Sequence, residues 1–333
     1  ARRFDERDAA AVEHARGRFL VDCGLFQGSK TLKELNYGAF PFDPRRLDFV
    51  LLTHAHIDHS GLIPKLVKVG FAGPICATAG TCDLVSYMWP DSGSIQESEV
   101  EFLNRRNVRR GKAEVEPIYT QADAETALKS LRPIDNETWV EAGPGVRGCT
   151  WNAGHIRGAV SIAVEIAPEL PDPRLLRLLF SGDIGPEHKL FHPDPEAPQN
   201  LDFVFCEATY GGRHRKRVTA EERRKLLADE IKASFANGGV MLIPAFAVER
   251  TQELLSDLGR LFDSAAIPPI PVFLDSPLAI RATEVFTRHR KLLESEGGSE
   301  PLFRHPQFHF TETVEQSVAI DRLQGRMIVI AGS

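Results

Sequence analysis

The sequence is poor in cysteine and contains no pair of cysteines spaced as in a structural zinc site. Its 333 residues include five cysteines and no Cys-x-x-Cys pair; the five are Cys23, Cys76, Cys82, Cys149 and Cys206. An odd, scattered set in a long chain argues against a disulfide framework and against a zinc finger. We therefore expect these thiols to be small, buried apolar side chains.

The sequence also lacks a hydrophobic run long enough to cross a membrane. The longest mostly apolar run, at residues 239–248, is interrupted by Pro244. It is far shorter than the ~20 residues that a membrane-spanning helix needs. The first eight residues contain six charged side chains and no apolar core of a signal peptide. These absences predict a cytoplasmic protein.

The chain has no overall excess of positive charge. Its formal net charge is −6 and its pI is about 6.0, whereas many nucleic-acid-binding domains are basic. Any contact with a polyanion would therefore depend on local features of the surface. The segment Gly28-Ser29-Lys30 lacks the upstream glycine and the Gly-Lys-Ser/Thr order of a phosphate-binding loop, which argues against a nucleotide-triphosphate enzyme. The length is sufficient for two globular domains.

What the sequence does contain is a dense group of potential metal ligands. Residues 53–61 read Thr-His-Ala-His-Ile-Asp-His-Ser-Gly and follow a short apolar run. Imidazoles and carboxylates at this density usually hold metal. Alternate side chains of an extended segment lie on the same side, so His54 and His56 can face one ion. Asp58 and His59 then fall beyond the turn, where they could meet a second ion. A His-rich surface turn is the alternative.

This stretch resembles the HxHxDH signature of the metallo-β-lactamase superfamily, which includes thiolesterases, lactamases and tRNA-processing nucleases. The resemblance implies an αββα sandwich and a site for two Zn²⁺ ions. His155 stands in a Gly-His-x-x-Gly-Ala setting, where relatives have the third histidine of the first metal. Asp183, between two glycines, would bridge the metals, although Asp is also common in turns. Asp22 would brace the metal loop without being a ligand.

The resemblance therefore implies two ligand sets that share one carboxylate. The first metal would be held by His54, His56, His155 and Asp183. The second metal would be held by Asp58, His59 and Asp183. A structural role for His155 and a plain turn at Asp183 are the alternatives.

A later segment resembles a particular branch of this superfamily. Residues 202–212 read Asp-Phe-Val-Phe-Cys-Glu-Ala-Thr-Tyr-Gly-Gly and are similar to motif A of the β-CASP nucleases, which insert a second domain at this point. The sequence of this motif is most similar to that of the polyadenylation-type endoribonuclease and its bacterial and archaeal relatives. After Thr219, strands alternate with helical patterns, which predicts a parallel sheet. We expect a metallo-β-lactamase domain at residues 1–210, without its C-terminal return segment, and a β-CASP cap at 211–333.

Both ends of the sequence depart from the family pattern. Residues 1–11 do not resemble the opening strand of relatives. Relatives also continue beyond the segment at 327–333 and carry two further histidines, one the general acid and one a ligand of the second metal. The sequence therefore predicts a chain that is cut at both ends and that has weak or no nuclease turnover by itself.

Three stretches of the first domain have helical patterns, at residues 80–89, 94–112 and 121–131. The second of these is acidic early and basic late, with arginines and a lysine at 105–112, which suits the dipole of a solvated helix. A phosphate contact is the alternative. The most basic short run is at 214–217, and it is either a cationic patch or an exposed linker.

The family resemblance implies a zinc-dependent nuclease that hydrolyses RNA phosphodiester bonds, in RNA processing or decay, through a hydroxide that bridges the two metals. It gives catalytic roles to Asp58, Asp183 and Glu207, the last by orienting a histidine. Arg250 and Ser276 follow cap strands, where they could hold the backbone of RNA; helix capping is the alternative. Single-stranded RNA is the expected partner, and a homodimer is possible. A thiolesterase-like metallohydrolase and a DNA-acting β-CASP nuclease are the alternative functions.

Overall fold

The computed structural model of the protein divides into two compact units. The first unit comprises residues 1–189 and 193–207, and the second comprises residues 190–192 and 208–333. The structure describes residues 10–14, 16–167, 174–187, 189–213, 218–236, 238–289 and 303–332. The basic run at 214–217 lies outside these described residues.

Two five-stranded sheets form the centre of the first unit. The first sheet contains β1 (Ala10–His14), β2 (Gly17–Val21), β3 (Phe49–Leu51), β4 (Ile75–Thr78) and β5 (Leu131–Ile134), in that order. Strands β1 and β2 are antiparallel and the other pairs are parallel. The second sheet has the order β10-β9-β8-β7-β6. Its strands are β6 (Val140–Gly143), β7 (Val146–Asn152), β8 (Val160–Ile166), β9 (Leu176–Phe180) and β10 (Phe203–Phe205).

The core of this unit lies between the two sheets. Phe19 and Phe49 of the first sheet stack with ring centroids 5.0 Å apart and belong to one buried cluster with Ile162 and Phe180 of the second sheet. Strand β8 is buried along its whole length, although polar Ser161 and Glu165 alternate with its apolar residues; the buried Glu165 is paired with two arginines. The sheets are joined at one edge by a hydrogen bond from Val160 N to Thr53 O, 3.0 Å long. The loops at this edge carry the predicted metal ligands.

Five helices accompany these strands in the described part of the first unit. They are α1 (Lys30–Glu34), α2 (Ile57–Ser60), α3 (Ile63–Lys68), α4 (Ala79–Arg109) and α5 (Gln121–Leu128). The sequence predicted separate helices at 80–89 and 94–112, and this prediction was wrong, because α4 continues through Pro90. An interior proline costs about 3 kcal/mol. Burial of Met88 and Trp89 beside it offsets that cost.

The second unit contains a four-stranded sheet in which every pair of neighbours is parallel. The strands are β11 (Val240–Pro244), β12 (Val272–Asp275), β13 (Phe308–Phe310) and β14 (Met327–Ala331), in the order β11-β14-β12-β13. The described helices are α6 (Ala220–Ser234), α7 (Arg250–Asp263), α8 (Pro277–Arg288) and α9 (Val314–Ile320). Helix α6 begins with a capping box, since Glu222 N donates to Thr219 Oγ1 at 3.1 Å and Thr219 N donates to Glu222 Oε2 at 2.9 Å. The predicted parallel sheet is confirmed.

The cysteines are free, and four of the five are buried as expected. The exception is Cys206, which is exposed. It follows β10, an edge strand whose three residues are also exposed, so the apolar setting in the sequence did not imply burial there. Among the described helices, none combines the length and the apolar composition that crossing a membrane requires.

Candidate metal centre

Two histidines of the predicted motif face each other directly after β3. The loop is fixed by its backbone, because Leu52 N donates to Cys76 O at 2.9 Å and Ser60 N donates to His56 O at 2.8 Å. His56 is the residue before α2, so the chain turns away there, as the sequence predicted. His54 Nε2 and His56 Nδ1 lie 3.1 Å apart. Both rings can therefore face one ion.

His155 and Asp183 lie in loops of the second sheet, and their side chains approach His54 and His56. His155 Nε2 lies 3.1 Å from His56 Nδ1. Asp183 Oδ2 lies 3.4 Å from His155 Nε2 and 3.9 Å from His54 Nε2. One ligand atom from each of these four side chains lies within 4.8 Å of all the others. Residues that are 129 positions apart in the chain thus form one compact group, from His54 to Asp183.

The group fits a tetrahedral metal ion. Ligand atoms that surround an ion at about 2.1 Å with tetrahedral angles are about 3.4 Å apart, which is close to the four separations above. Burial lowers the pKa of His54 well below its usual value, and the positive charges of His59, His56 and His155 would lower it further. Burial also lowers the pKa of His56, against the opposing effect of Asp58 and Asp183. Neutral imidazoles keep a lone pair for a metal.

The second oxygen of Asp183 faces a different histidine. His59 Nε2 lies 3.2 Å from Asp183 Oδ1, so the carboxylate has the first group on one side and His59 on the other. Burial acts to raise the pKa of Asp183, but the hydrogen bond and charge of His59, with the charges of His155 and His56, hold it below its usual value. Asp58 is close enough to His56 to act on its pKa. Neither Asp58 nor His59 belongs to the compact group of four found among the described residues.

Asp22 lies behind His59 and accepts three hydrogen bonds. Its Oδ1 accepts from Thr53 N at 2.8 Å, and its Oδ2 accepts from Thr53 Oγ1 at 2.7 Å. His59 Nδ1 lies 2.8 Å from the same Oδ2. Because a carboxylate only accepts, the proton of a neutral His59 lies on Nδ1, and Nε2 keeps its lone pair on the side of Asp183. Burial raises the pKa of Asp22, although His59 and Thr53 act in the opposite direction.

Two glycines allow these loops to touch. A Cβ on Gly24 would lie 1.2 Å from Asp58 O, and a Cβ on Gly185 would lie 1.7 Å from Gly154 O. The first contact brings the segment after Asp22 against the motif, where Cys23 N donates to His59 O at 2.6 Å. The second brings the Asp183 loop against the His155 loop. No other residue type fits at either position without moving the backbone.

Comparison with known proteins identifies the family. The Metallo-beta-lactamase superfamily matches residues 3–231. The chain belongs to this superfamily. The Beta-Casp domain matches residues 251–333. The resemblance seen in the sequence is therefore confirmed, and so is the predicted fold class, a metallo-β-lactamase fold with a β-CASP domain.

Several curated relatives of this superfamily cover most of the chain. A ribonuclease of Thermus thermophilus is 35% identical over 95% of this chain and 67% of its own length. The transcription termination factor FttA of Methanosarcina mazei is 30% identical over 84% of this chain and 41% of its own length. An RNase J-like protein of Methanocaldococcus jannaschii is 26% identical over 83% of this chain and 56% of its own length. The chain thus spans between two fifths and two thirds of the length of these relatives.

In this metallo-β-lactamase domain, helix α4 contacts both loops that carry the histidines. Trp89 Nε1 donates to Ser60 Oγ at 3.1 Å, and Ser60 Oγ donates to Ala55 O at 2.8 Å, between His54 and His56. The hydroxyls of Thr78 and Thr81 donate to Gly158 O at 2.7 and 2.9 Å, three residues after His155. The sequence analysis missed these contacts. No local pattern signals them, since Trp89 and Ser60 are 29 positions apart.

Glu207 lies beside the Asp183 loop rather than in the group of four. Its Oε1 accepts from Ile184 N at 3.3 Å, and its backbone N donates to Ser181 Oγ at 2.9 Å. The carboxylate is therefore held next to Asp183 by the strand ends that position both. Its catalytic role stays a prediction.

The two predicted nucleic-acid contacts of the β-CASP domain have local partners. Arg250 is the first residue of α7, and its Nη1 lies 2.8 Å from Glu253 Oε2. Ser276 is buried, and its hydroxyl accepts from Ala279 N at 3.2 Å as the cap of α8. Helix capping accounts for the position of the Ser276 hydroxyl without any ligand. The side chain of Arg250, in contrast, is exposed. A role in nucleic-acid binding stays a prediction for both.

Proposed function

We propose that the protein is a zinc-dependent ribonuclease that hydrolyses phosphodiester bonds of single-stranded RNA during RNA processing or decay. The observation that carries this proposal is the convergence of His54, His56, His155 and Asp183 in a chain that is 35% identical to a ribonuclease. Two other relatives, a transcription termination factor and an RNase J-like protein, favour RNA over a small-molecule ester. The predicted cytoplasmic location and homodimer stay predictions.

The residues proposed to hold metal fall into two sets. His54, His56, His155 and Asp183 would hold the first ion, and Asp58, His59 and Asp183 would hold the second. Imidazole-rich sets with carboxylates and tetrahedral spacing suit Zn²⁺ better than Mg²⁺ or Ca²⁺, which prefer oxygen ligands. When bound, two such ions supply an activated water and neutralise the charge that develops on the phosphoryl oxygens.

The side chains of the chain itself prepare this site. Asp22 holds the proton of His59 on Nδ1 at 2.8 Å and so fixes the orientation of the ring. Complete burial of His54 keeps water from one side of the site. We propose that Glu207, held by Ser181 and Ile184, orients the side chain that protonates the leaving oxygen. Its position beside Asp183 supports this role.

We also propose a division of labour between the domains. Residues 1–210 would form the metal-binding domain, and residues 211–333 would contribute contacts to RNA through Arg250 and Ser276. The exposed guanidinium of Arg250 at the start of α7 supports a phosphate contact, because helix N-termini and arginines both favour anions.

The test compares three substrates with the full-length protein: single-stranded RNA, single-stranded DNA and a thioester. We expect RNA to be cleaved, cleavage to be lost in His56→Ala, and cleavage to be kept in His309→Ala. His309 is exposed on β13 and gives a matched control for removal of an imidazole. Hydrolysis of the thioester without cleavage of RNA would contradict the proposal and favour the thiolesterase-like alternative. Cleavage of DNA alone would favour the DNA-acting alternative.

A further inference from the structure

The C-terminal end of α4 carries a cationic surface that the proposed metal centre does not use. We call it the α4 cationic surface; it consists of Phe102, Arg105, Arg106, Arg109, Arg110 and Lys112. All six side chains are exposed, and Phe102 is 66% exposed. Five cations within eight positions contrast with the net charge of −6 of the whole chain. This surface is therefore a local exception to the charge of the protein.

The helix dipole accounts for only part of this concentration of charge, since Arg106 and Arg109 lie in the last turn of α4. Cations near a helix C-terminus gain about 0.3–1 kcal/mol each, and the effect is confined to the last turn. Arg110 and Lys112 lie after the helix, which ends at Arg109. Within the helix, Arg105 and Arg109 are four positions apart, and like charges at this spacing destabilise a helix.

Few acidic side chains neutralise these cations. Arg105 Nη2 lies 3.2 Å from Glu101 Oε1, and both side chains are largely exposed, so this pair contributes little. For the other four cations, the described part of the chain shows no carboxylate within 4.0 Å. Their charges remain available to an anionic ligand.

The surface is also held in shape before any ligand arrives. The side chain of Asn104 forms two hydrogen bonds with the backbone of Val115, each 2.9 Å long. Asn107 Nδ2 donates to Ala113 O at 3.3 Å, which fixes the chain that follows α4. A groove of about 670 Å³ lies between α4 and this following segment. Its lining contains Arg105 and Arg109 but also three carboxylates, those of Glu97, Glu101 and Glu114, so the cationic character belongs to the outer face of the helix beside the groove.

We propose that the α4 cationic surface binds the backbone of single-stranded RNA outside the metal centre, with Phe102 as a stacking platform for a base. This inference rests on the proposed function. Surfaces for single strands combine a cationic groove with exposed aromatic side chains, since phosphates and base faces need different partners. An acidic protein or a lipid headgroup would use the cations but would leave Phe102 without a role.

The position of the surface sets a minimum length of RNA. Helix α4 begins beside the His155 loop, where the hydroxyl of Thr78 donates to Gly158 O. Arg105 lies 26 positions after Ala79, so the surface is about 40 Å from that end at 1.5 Å per residue. A single strand whose stacked nucleotides are about 3.4 Å apart needs roughly 12 nucleotides to cover this distance. A tetranucleotide can occupy the metal centre or the surface, but not both.

The test measures cleavage of a tetranucleotide and of an RNA of about 30 nucleotides by the full-length protein. We compare the wild type with R106Q/R109Q/R110Q, with the charge-conserving R106K/R109K/R110K, and with the control K30Q/K33Q/R46Q, which removes three other exposed cations. We expect the glutamine variant to raise KM for the long RNA roughly tenfold, with kcat unchanged and with no change for the tetranucleotide. The lysine variant and the control should behave as the wild type. The Phe102→Ala variant should also raise KM for the long RNA alone.

Salt dependence adds a second readout. Because each phosphate contact contributes about 0.7 to the slope of log K against log salt for single strands, loss of three contacts should lower the slope by about 2. If the wild type cleaves the long RNA and the glutamine variant has the same KM and slope, the inference is wrong and the proposed function stands. If the wild type neither binds nor cleaves RNA, both fail. Stronger binding of the surface to phosphatidylserine vesicles than to RNA would also overturn the inference.

Discussion

Asp22 Oδ2 lies 2.8 Å from His59 Nδ1, on the far side of the ring from Asp183. In a neutral His59, this contact places the proton on Nδ1. A neutral His59 would then offer the lone pair of Nε2 to an ion, and the contact links the end of β2 to a loop that follows β3. The same carboxylate holds the backbone and hydroxyl of Thr53. One buried acid thus orients one proposed ligand and the residue before His54.

The first prediction concerns that acid. We expect Asp22→Asn to weaken binding of the second metal by about 10–100-fold, which is the usual effect of removing such an outer carboxylate. Asparagine tolerates the left-handed backbone of residue 22, whose φ is 58°, so the loop itself should persist. Zinc affinity is measured by competition with a chromophoric chelator. Asp229→Asn, an exposed position in α6, is the control, and equal affinities in the two variants would contradict the prediction.

The second prediction concerns the contact between α4 and the motif. Trp89→Phe keeps an aromatic side chain but removes the donor to Ser60 Oγ, so we expect a loss of about 1 kcal/mol in the free energy of unfolding. We also expect faster release of zinc to a chelator, because Ser60 in turn holds Ala55 O between two proposed ligands. Trp139→Phe, at a partly exposed position, is the matched control. Lower stability with unchanged zinc release would show that Trp89 serves packing alone.

The third prediction concerns the order of metal loss. The first ion would have three imidazoles and a carboxylate, while the second would have His59, Asp58 and Asp183, of which Asp58 and His59 lie outside the compact group. We therefore expect a chelator to remove zinc in two steps, the second ion first. His59→Ala should abolish the first step and leave the second. Two ions that are retained equally, measured by elemental analysis after dialysis, would contradict this order.

The fourth prediction concerns the pH dependence of the metal-free protein. Burial lowers the pKa of His54 in the folded state, so below its ordinary pKa of about 6.5 the unfolded chain binds a proton that the folded chain does not. Stability is then present above about pH 6.5 and is lost as the pH falls below it. We expect the Tm of the chelator-treated protein to fall between pH 7.5 and about pH 5. The decrease should be smaller in His54→Asn, and an equal decrease would exclude His54 as its source.

The spacing of the potential ligands and the similarity of their motifs to a known family predicted much of the site, but not the contacts that support it. His54, His56, Asp58 and His59 stand together in the sequence, and their spacing alone suggested metal. His155 and Asp183 became candidates only through the family resemblance, because their partners lie on another sheet. The role of Trp89 depends on a packing contact across 29 positions. Such contacts are set by tertiary structure, which local patterns do not encode.

The errors in the secondary structure have the same origin. Residues 121–131 were predicted as one helix, whereas the helix ends at Leu128 and Leu131 begins β5. That strand forms because Leu131 pairs with Ile75 of β4. Pro133, which lies within it, argues locally against a strand. Pro90 suggested a break in α4 that packing of its buried neighbours prevents. Long-range pairing and packing outweighed local preference in both cases.

The most direct test of the metal centre is an anomalous-difference map, recorded at the zinc edge from crystals of the protein grown with zinc. We predict a peak about 2.1 Å from His54 Nε2, His56 Nδ1, His155 Nε2 and Asp183 Oδ2. A second, weaker peak should lie between Asp183 Oδ1 and His59 Nε2. A map with no peak among these side chains, or with zinc bound elsewhere, would contradict the account.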